Sequence, residues 1–159
     1  MSTRGVVYVH SSPSAVTPHV EWAVSGVLDA RVVLDWSAQD AAPGQLRAEC
    51  AWAGPAGTGA RLVAALRAWS MLRFEVTEDP SPGTDGERFT YVPGLGLWHG
   101  RTSANGDIVI GEDQVRTAMR GADLAHRLDD LLGTRWDDAL EEFRFAGDGG
   151  VPTRLHRVG

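Results

Sequence analysis

The chain of 159 residues contains no lysine, and all fifteen of its basic residues are arginine. Without an amine side chain it supplies no Schiff base, no lysine general base and no phosphate-loop lysine, which removes several classes of enzyme. Cysteine is almost as scarce. Cys50 stands alone, so no disulfide within one chain and no thiolate metal cluster can form, which fits a reducing compartment and predicts a cytoplasmic protein. Cys50 itself reads as a small core residue in a strand, the alternative being a catalytic thiol. Long apolar runs are missing too. None approaches the roughly 20 residues needed to cross a bilayer, and MSTRGVVYVHSS lacks the extended apolar region and cleavage site of a secretory signal. No membrane partner is expected.

What is present is the composition of an ordinary globular protein, with 43% hydrophobic and 23% charged residues. Abundant Ala, Gly, Arg, Val and Asp suggest a GC-rich genome. The length suits one compact domain that buries roughly two thirds of its unfolded surface. The net charge of −6 is uneven: residues 1–75 carry six Arg against six acids, and residues 76–159 nine Arg against fifteen acids. Phosphate neutralisation supplies most of the affinity for nucleic acid, so an acidic chain without a clustered basic face predicts no nucleic-acid partner.

Periodicity orders the elements. GVVYVHS (5–11) is rich in β-branched and aromatic residues and reads as a strand. Val16, Val20, Ala23, Val24 and Val27 recur at helical spacing, with Thr17 as cap and Pro18 in the first turn. RVVLDWSA (31–38) and QLRAECAWA (45–53) read as a hairpin of strands. Leu62, Val63, Leu66 and Trp69 share a second helical stripe. LRFEVTED (72–79) alternates Leu72, Phe74 and Val76 inward with Arg73, Glu75 and Thr77 outward. This order of strand, helix, strand, strand, helix, strand predicts an α+β fold with a ferredoxin-like βαββαβ core. ERFTYV, LWHGRTS and DIVIG, separated by PGLG and an Asn-Gly turn, add further antiparallel strands. From Glu112 an apolar stripe, broken at Gly121 and Gly133, predicts two or three C-terminal short helices, with Thr134 and Asp137 as a capping box. The expected organisation is a single domain over 1–146 and a flexible tail over 147–159.

Three stretches invite a functional reading. AGPAGTGARL (53–62) resembles a phosphate loop but has Ala60 and Arg61 where Lys and a hydroxyl are required. Its glycines suffice as a bend from strand into helix with Thr58 as cap, and Arg61 in the first turn leaves anion contact as the functional alternative. HSSPSAVTPHVEW (10–22) gathers His10, Ser11, Ser12, His19 and Glu21. A nucleophile site would use His10, Ser11 and His19, but no G-x-S-x-G elbow is present, and Ser and Pro are also what a turn needs. His19 and Glu21 point to different sides of a helix, which argues against a shared metal. In YVPGLGLWHG (91–100) the third glycine falls one residue late for a dinucleotide fingerprint. There Trp98, His99 and Arg101 together suit a flat or anionic ligand, although strand alternation sends Trp98 and His99 to opposite faces. The acids Asp129, Asp130, Asp137, Asp138, Glu141 and Glu142 read as a solvated helical face, or as a surface for a basic partner.

GVVYVHSSPSAVTPHVEWA, LRFEVTEDPSPGTDGERF and YVPGLGLWHG resemble the actinobacterial family of domain of unknown function 3145, nearly end to end. The resemblance implies no reaction, cofactor or catalytic residue. It implies a link to fatty-acid metabolism only through gene neighbourhood, and an acidic chain would be repelled by an acidic acyl carrier protein. The expectation is a non-catalytic ligand- or protein-binding module without cofactor or metal, which could form a homodimer. Its ligand contacts would be drawn from Ser12, Glu21, Arg61, Trp98, His99 and Arg101. The alternative is a small hydrolase using the His/Ser-rich loop.

Overall fold

The computed structural model describes residues 2–144. It is an α+β structure in which one antiparallel sheet of seven strands carries five helices. In chain order these are β1 (Ser2–Pro13), α1 (Thr17–Leu28), β2 (Ser37–Ala38), β3 (Gln45–Pro55), α2 (Thr58–Leu66), β4 (Arg73–Glu78), β5 (Gly86–Val92), β6 (Gly96–Thr102), β7 (Ile108–Val109), α3 (Glu112–Met119), α4 (Leu124–Leu132) and α5 (Thr134–Arg144). Sheet order is β2-β3-β1-β4-β5-β6-β7, so β1 pairs on both sides, with β3 and with β4.

Side chains alternate across a sheet, and this divides the strands into two faces. On the first face Val7 and Val9 of β1, Ala48 and Trp52 of β3, and Phe74 and Val76 of β4 meet Val20, Ala23 and Val24 of α1 and Leu62, Val63 and Leu66 of α2 in the main core. Each of the larger of these side chains contributes about 1.5–3 kcal/mol by leaving water. On the second face Val92 and Trp98 pack with Trp136 and Leu140 of α5 in a smaller cluster. The α5 helix therefore covers part of a face that the strand pattern alone assigns to solvent. Glu75, expected to point outward with Arg73 and Thr77, is fully buried beneath it.

Several local expectations are corrected. Of the strand expected over 31–38 only Ser37–Ala38 joins the sheet. Side chains of α1 capture two of its other backbone donors: Val32 N–H donates to Ser25 Oγ at 2.9 Å and Leu34 N–H to Glu21 Oε1 at 3.0 Å. The helices begin at Val16 and Gly57 as N-caps, not at Thr17 and Thr58. Both threonine hydroxyls donate instead to carbonyls, of Ser14 and Pro55. Asp137 does not form a capping box with Thr134. It accepts from Arg144, while Thr134 donates to Asp129. The C-terminal stripe divides into three helices, of whose apolar residues Ala118, Trp136, Leu140 and Phe143 are buried. The tail expected over 147–159 lies outside the described residues.

Candidate functional site

The phosphate-loop-like segment already holds an anion of the chain's own. Gly57 takes φ +93°, which only glycine adopts without strain, and turns the chain into α2. The free amides at that helix start donate to Glu78, Gly57 N–H to Oε2 at 3.1 Å and Gly59 N–H to Oε1 at 2.9 Å. A Cβ on Gly59 would lie only 3.2 Å from the same carboxylate. The glycine thus permits the close approach that a ligand phosphate would otherwise make. Arg61 is exposed on α2.

The polar residues of 10–22 are separated by the sheet. A bulge in β1 after Val9 interrupts its register with both neighbours and re-aims the side chains that follow. The imidazole of His10 lies on the second face, parallel to Tyr8, and its Nε2 donates to Glu75 Oε1 at 2.8 Å. Ser11 accepts from Arg73 Nη1 at 3.3 Å, and Ser12 donates to the carbonyl of Pro13. His19 stands in the helical layer against Trp69, with ring centroids 5.8 Å apart. His10, Ser11 and His19 each have a different partner and do not form one constellation. Glu21 accepts from Leu34 N–H and Trp36 Nε1, so it braces the segment after α1.

Strand alternation sends Trp98 and His99 to opposite faces. Trp98 is buried under α4 and α5, its Nε1 donating to the carbonyl of Asp130 at 3.1 Å. His99 stacks on Phe89 with centroids 4.4 Å apart and pairs with Glu87 at 3.3 Å. Near the sheet edge both still contribute, with Arg101, to a shallow depression of about 350 Å³ that includes Gln114 and Asp130. Ser12, Glu21 and Arg61 lie elsewhere.

A buried charge network joins His10 to Glu75 and Arg144, two residues that the sequence does not single out as a site. Both oxygens of Glu75 are held by Arg144, through Nε and Nη2 at 2.9 Å each, while Thr90 Oγ1 donates to Oε2 at 3.3 Å. Arg144 also reaches Asp137 at 3.1 Å. Burial alone would raise the pKa of Glu75, but the hydrogen bond and charge of His10, with those of Arg144, outweigh it and hold the carboxyl below its ordinary value. Burial likewise works against the charge on Arg144, and Glu75 and Asp137 more than offset it. Gln39, also fully buried, donates to the carbonyls of His10 and Phe143 and so ties the β2–β3 loop to both elements.

Beyond Tyr8 no described helix packs on the second face. There Val6, Tyr8, Thr77 and Arg88 floor a cleft of about 610 Å³, rimmed by Asp79, Pro80, Glu87 and the segment from Thr102 to Gly106. Arg88 is only 8% exposed and donates through Nη2 to the carbonyl of Gly106 at 3.2 Å. The Tyr8 phenol is pushed up to about 12 by burial and then by the charges of Glu49 and Glu75, so at neutral pH it remains an O–H. Ser103 Oγ at the rim is buried without a hydrogen-bond partner among the described residues. The floor therefore combines a buried guanidinium and a phenol with an apolar side chain.

A carboxylate between Phe74 and Val76 gives no hint of the buried network, because alternation alone assigns it to the solvent side. Its partner, sixty-nine residues away, has no local signature. Among the described residues no three His, Cys, Asp or Glu side chains are grouped to hold a metal ion, and no helix is long and apolar enough to cross a membrane. No curated protein and no solved structure matches the chain. One family model does, over residues 6–157, and by that match the chain belongs to the family described as protein of unknown function (DUF3145).

Proposed function

We propose that the chain is a non-catalytic binding module that takes a small polar ligand in the cleft over Val6, Tyr8, Thr77 and Arg88. The observation that carries this reading is a concave lining on the second face in which a buried guanidinium, a phenol and an apolar side chain meet. Tyr8 and Arg88 floor a cleft of about 610 Å³. A guanidinium carries five N–H donors, so the ligand presents an acceptor group to Arg88. The strands and helices from β1 to β4, in the order β2-β3-β1-β4 with all pairs antiparallel, support a ferredoxin-like core. In that reading β5–β7 and the C-terminal helices are additions that build the cleft.

Native mass spectrometry of the protein recovered from its own cells tests the module. A small adduct retained by the wild-type chain and lost in Arg88→Ala is the expected result. Steady turnover of simple ester substrates that disappears in Ser11→Ala would favour the small hydrolase using His10, Ser11 and His19. An adduct equally retained by Arg88→Ala would remove the cleft as its site.

A further inference from the structure

β3 is bonded to β1 along its whole length, but on its outer side β2 meets only Leu46 and Arg47. The direction of the remaining outer groups is fixed by one bond, Gln39 N–H donating to the carbonyl of Gln45 at 2.9 Å on that side. In an antiparallel strand the N–H and C=O of one residue point the same way and alternate along the chain. Glu49, Ala51 and Ala53 therefore turn their N–H and C=O to the outer edge, and no backbone partner meets them there among the described residues. All three residues are exposed. Of the devices that blunt such an edge, the free stretch carries only the charge of Glu49. The chain has no lysine, proline enters β3 only at Pro55, and the register with β1 is unbroken from Ser2↔Pro55 to Val9↔Ala48.

We propose that this edge pairs with the same edge of a second copy, antiparallel, about a twofold axis at Ala51, so that two seven-stranded sheets become one. The sequence selects that centre. A twofold at Ala51 sets Ala51 against Ala51 and Glu49 against Ala53, giving three hydrogen-bonded pairs and about six hydrogen bonds. It opposes no like charges. A twofold at Glu49 would oppose two carboxylates, which is destabilising. A twofold at Ala53 would bring Pro55, which has no N–H, opposite Ala51. Ala51 also lies midway between Arg47, where β2 occupies the edge, and Pro55, where the strand ends. The pairing therefore stops at Glu49 and Ala53, short of Arg47, where Ser37 of β2 already holds the edge. Val6, the register partner of Ala51, is on the cleft floor, so the pairing places two clefts on one continuous face.

Sedimentation velocity on the full chain across a concentration series tests the pairing. The wild-type protein is expected to sediment as a dimer. Ala51→Pro deletes an outward N–H and none of the N–H donors of the β1 ladder, and Ala51→Glu opposes two carboxylates at the axis. Each is expected to weaken dimerisation at least tenfold, with Ala51→Glu carrying the test if the proline variant does not fold. In a Cys50→Ala background, Ala51→Cys is expected to form a disulfide-linked dimer under mild oxidation. The Cα separation of about 5.5 Å in a hydrogen-bonded pair is within disulfide reach. A wild-type monomer at all concentrations overturns the proposal, as does a dimer indifferent to Ala51→Glu. An edge that stays monomeric but captures an extended peptide also overturns it.

Discussion

Arg144 closes its guanidinium on both carboxylate oxygens of Glu75 at 2.9 Å, although the two residues are sixty-nine positions apart. The pair fastens the last described turn of α5 to a central strand of the sheet, and His10 and Thr90 complete it. This closes one end of the second face and leaves the cleft at the other.

Removing one partner of a buried ion pair strands the other in a low dielectric, at about 3–5 kcal/mol. Glu75→Gln is expected to lower the unfolding free energy in urea by that amount. Replacing Arg144 by Met is expected to cost a similar amount, because it leaves the buried Glu75 with only His10 and the Thr90 hydroxyl.

The same pair sets the acid limb of stability. The carboxyl of Glu75 is held below its ordinary value in the folded chain. Its contribution is therefore complete above the unfolded carboxylate pKa of about 4.3 and is lost as pH falls through the lower folded value. Urea midpoints measured from pH 7 downward are expected to drop below about pH 4 in the wild-type chain, with a shallower drop in Glu75→Gln. Parallel curves would show that Glu75 does not titrate as described.

Tyr8 governs the alkaline side. Its pKa is pushed up from 10.0 to about 12, so the folded chain holds the phenolic proton that the unfolded chain releases. That contribution is fully present below the unfolded value and is lost as pH rises through the folded one. Phenolate absorbance is expected to show one of the two tyrosines titrating late, and Tyr8→Phe is expected to abolish that late step.

The carboxylate of Glu78 satisfies two amides at the start of α2. Glu78→Ala is expected to cost about 1–3 kcal/mol, the price of leaving buried donors unmade, with faster hydrogen exchange at Gly57 and Gly59. Glu78→Gln, which retains an acceptor, is expected to cost less than the alanine variant.

Gly133 caps α4 with φ +74°, and a Cβ there would lie 2.7 Å from the indole of Trp98. Gly133→Ala combines left-handed backbone strain of about 1–2 kcal/mol with overpacking of similar size. Lower stability and a changed tryptophan emission spectrum are expected together.

The cleft and the ion pair were far less legible in the sequence than the elements that bear them. Alternation in RFEVT fixes Phe74 and Val76 on one face and Glu75 on the other, which is correct. It then reads the second face as solvated, because nothing local reports that α5 will cover it. Tyr8 and Arg88 look like ordinary outward residues of their strands for the same reason. His10, Ser11 and His19 are close along the chain, yet a bulge and the sheet itself divide them.

By itself the sequence determined the character and order of the elements, since a period of two or 3.6 residues and a glycine's freedom at a bend are properties of short segments. It also determined what chemistry is impossible, through the missing amine. Only the tertiary structure decided which faces are covered, where Glu75 finds Arg144 and what fills the amides of Gly57 and Gly59. Those outcomes depend on the free energy of bringing distant segments together, where a buried charge is stable only when its partner arrives with it.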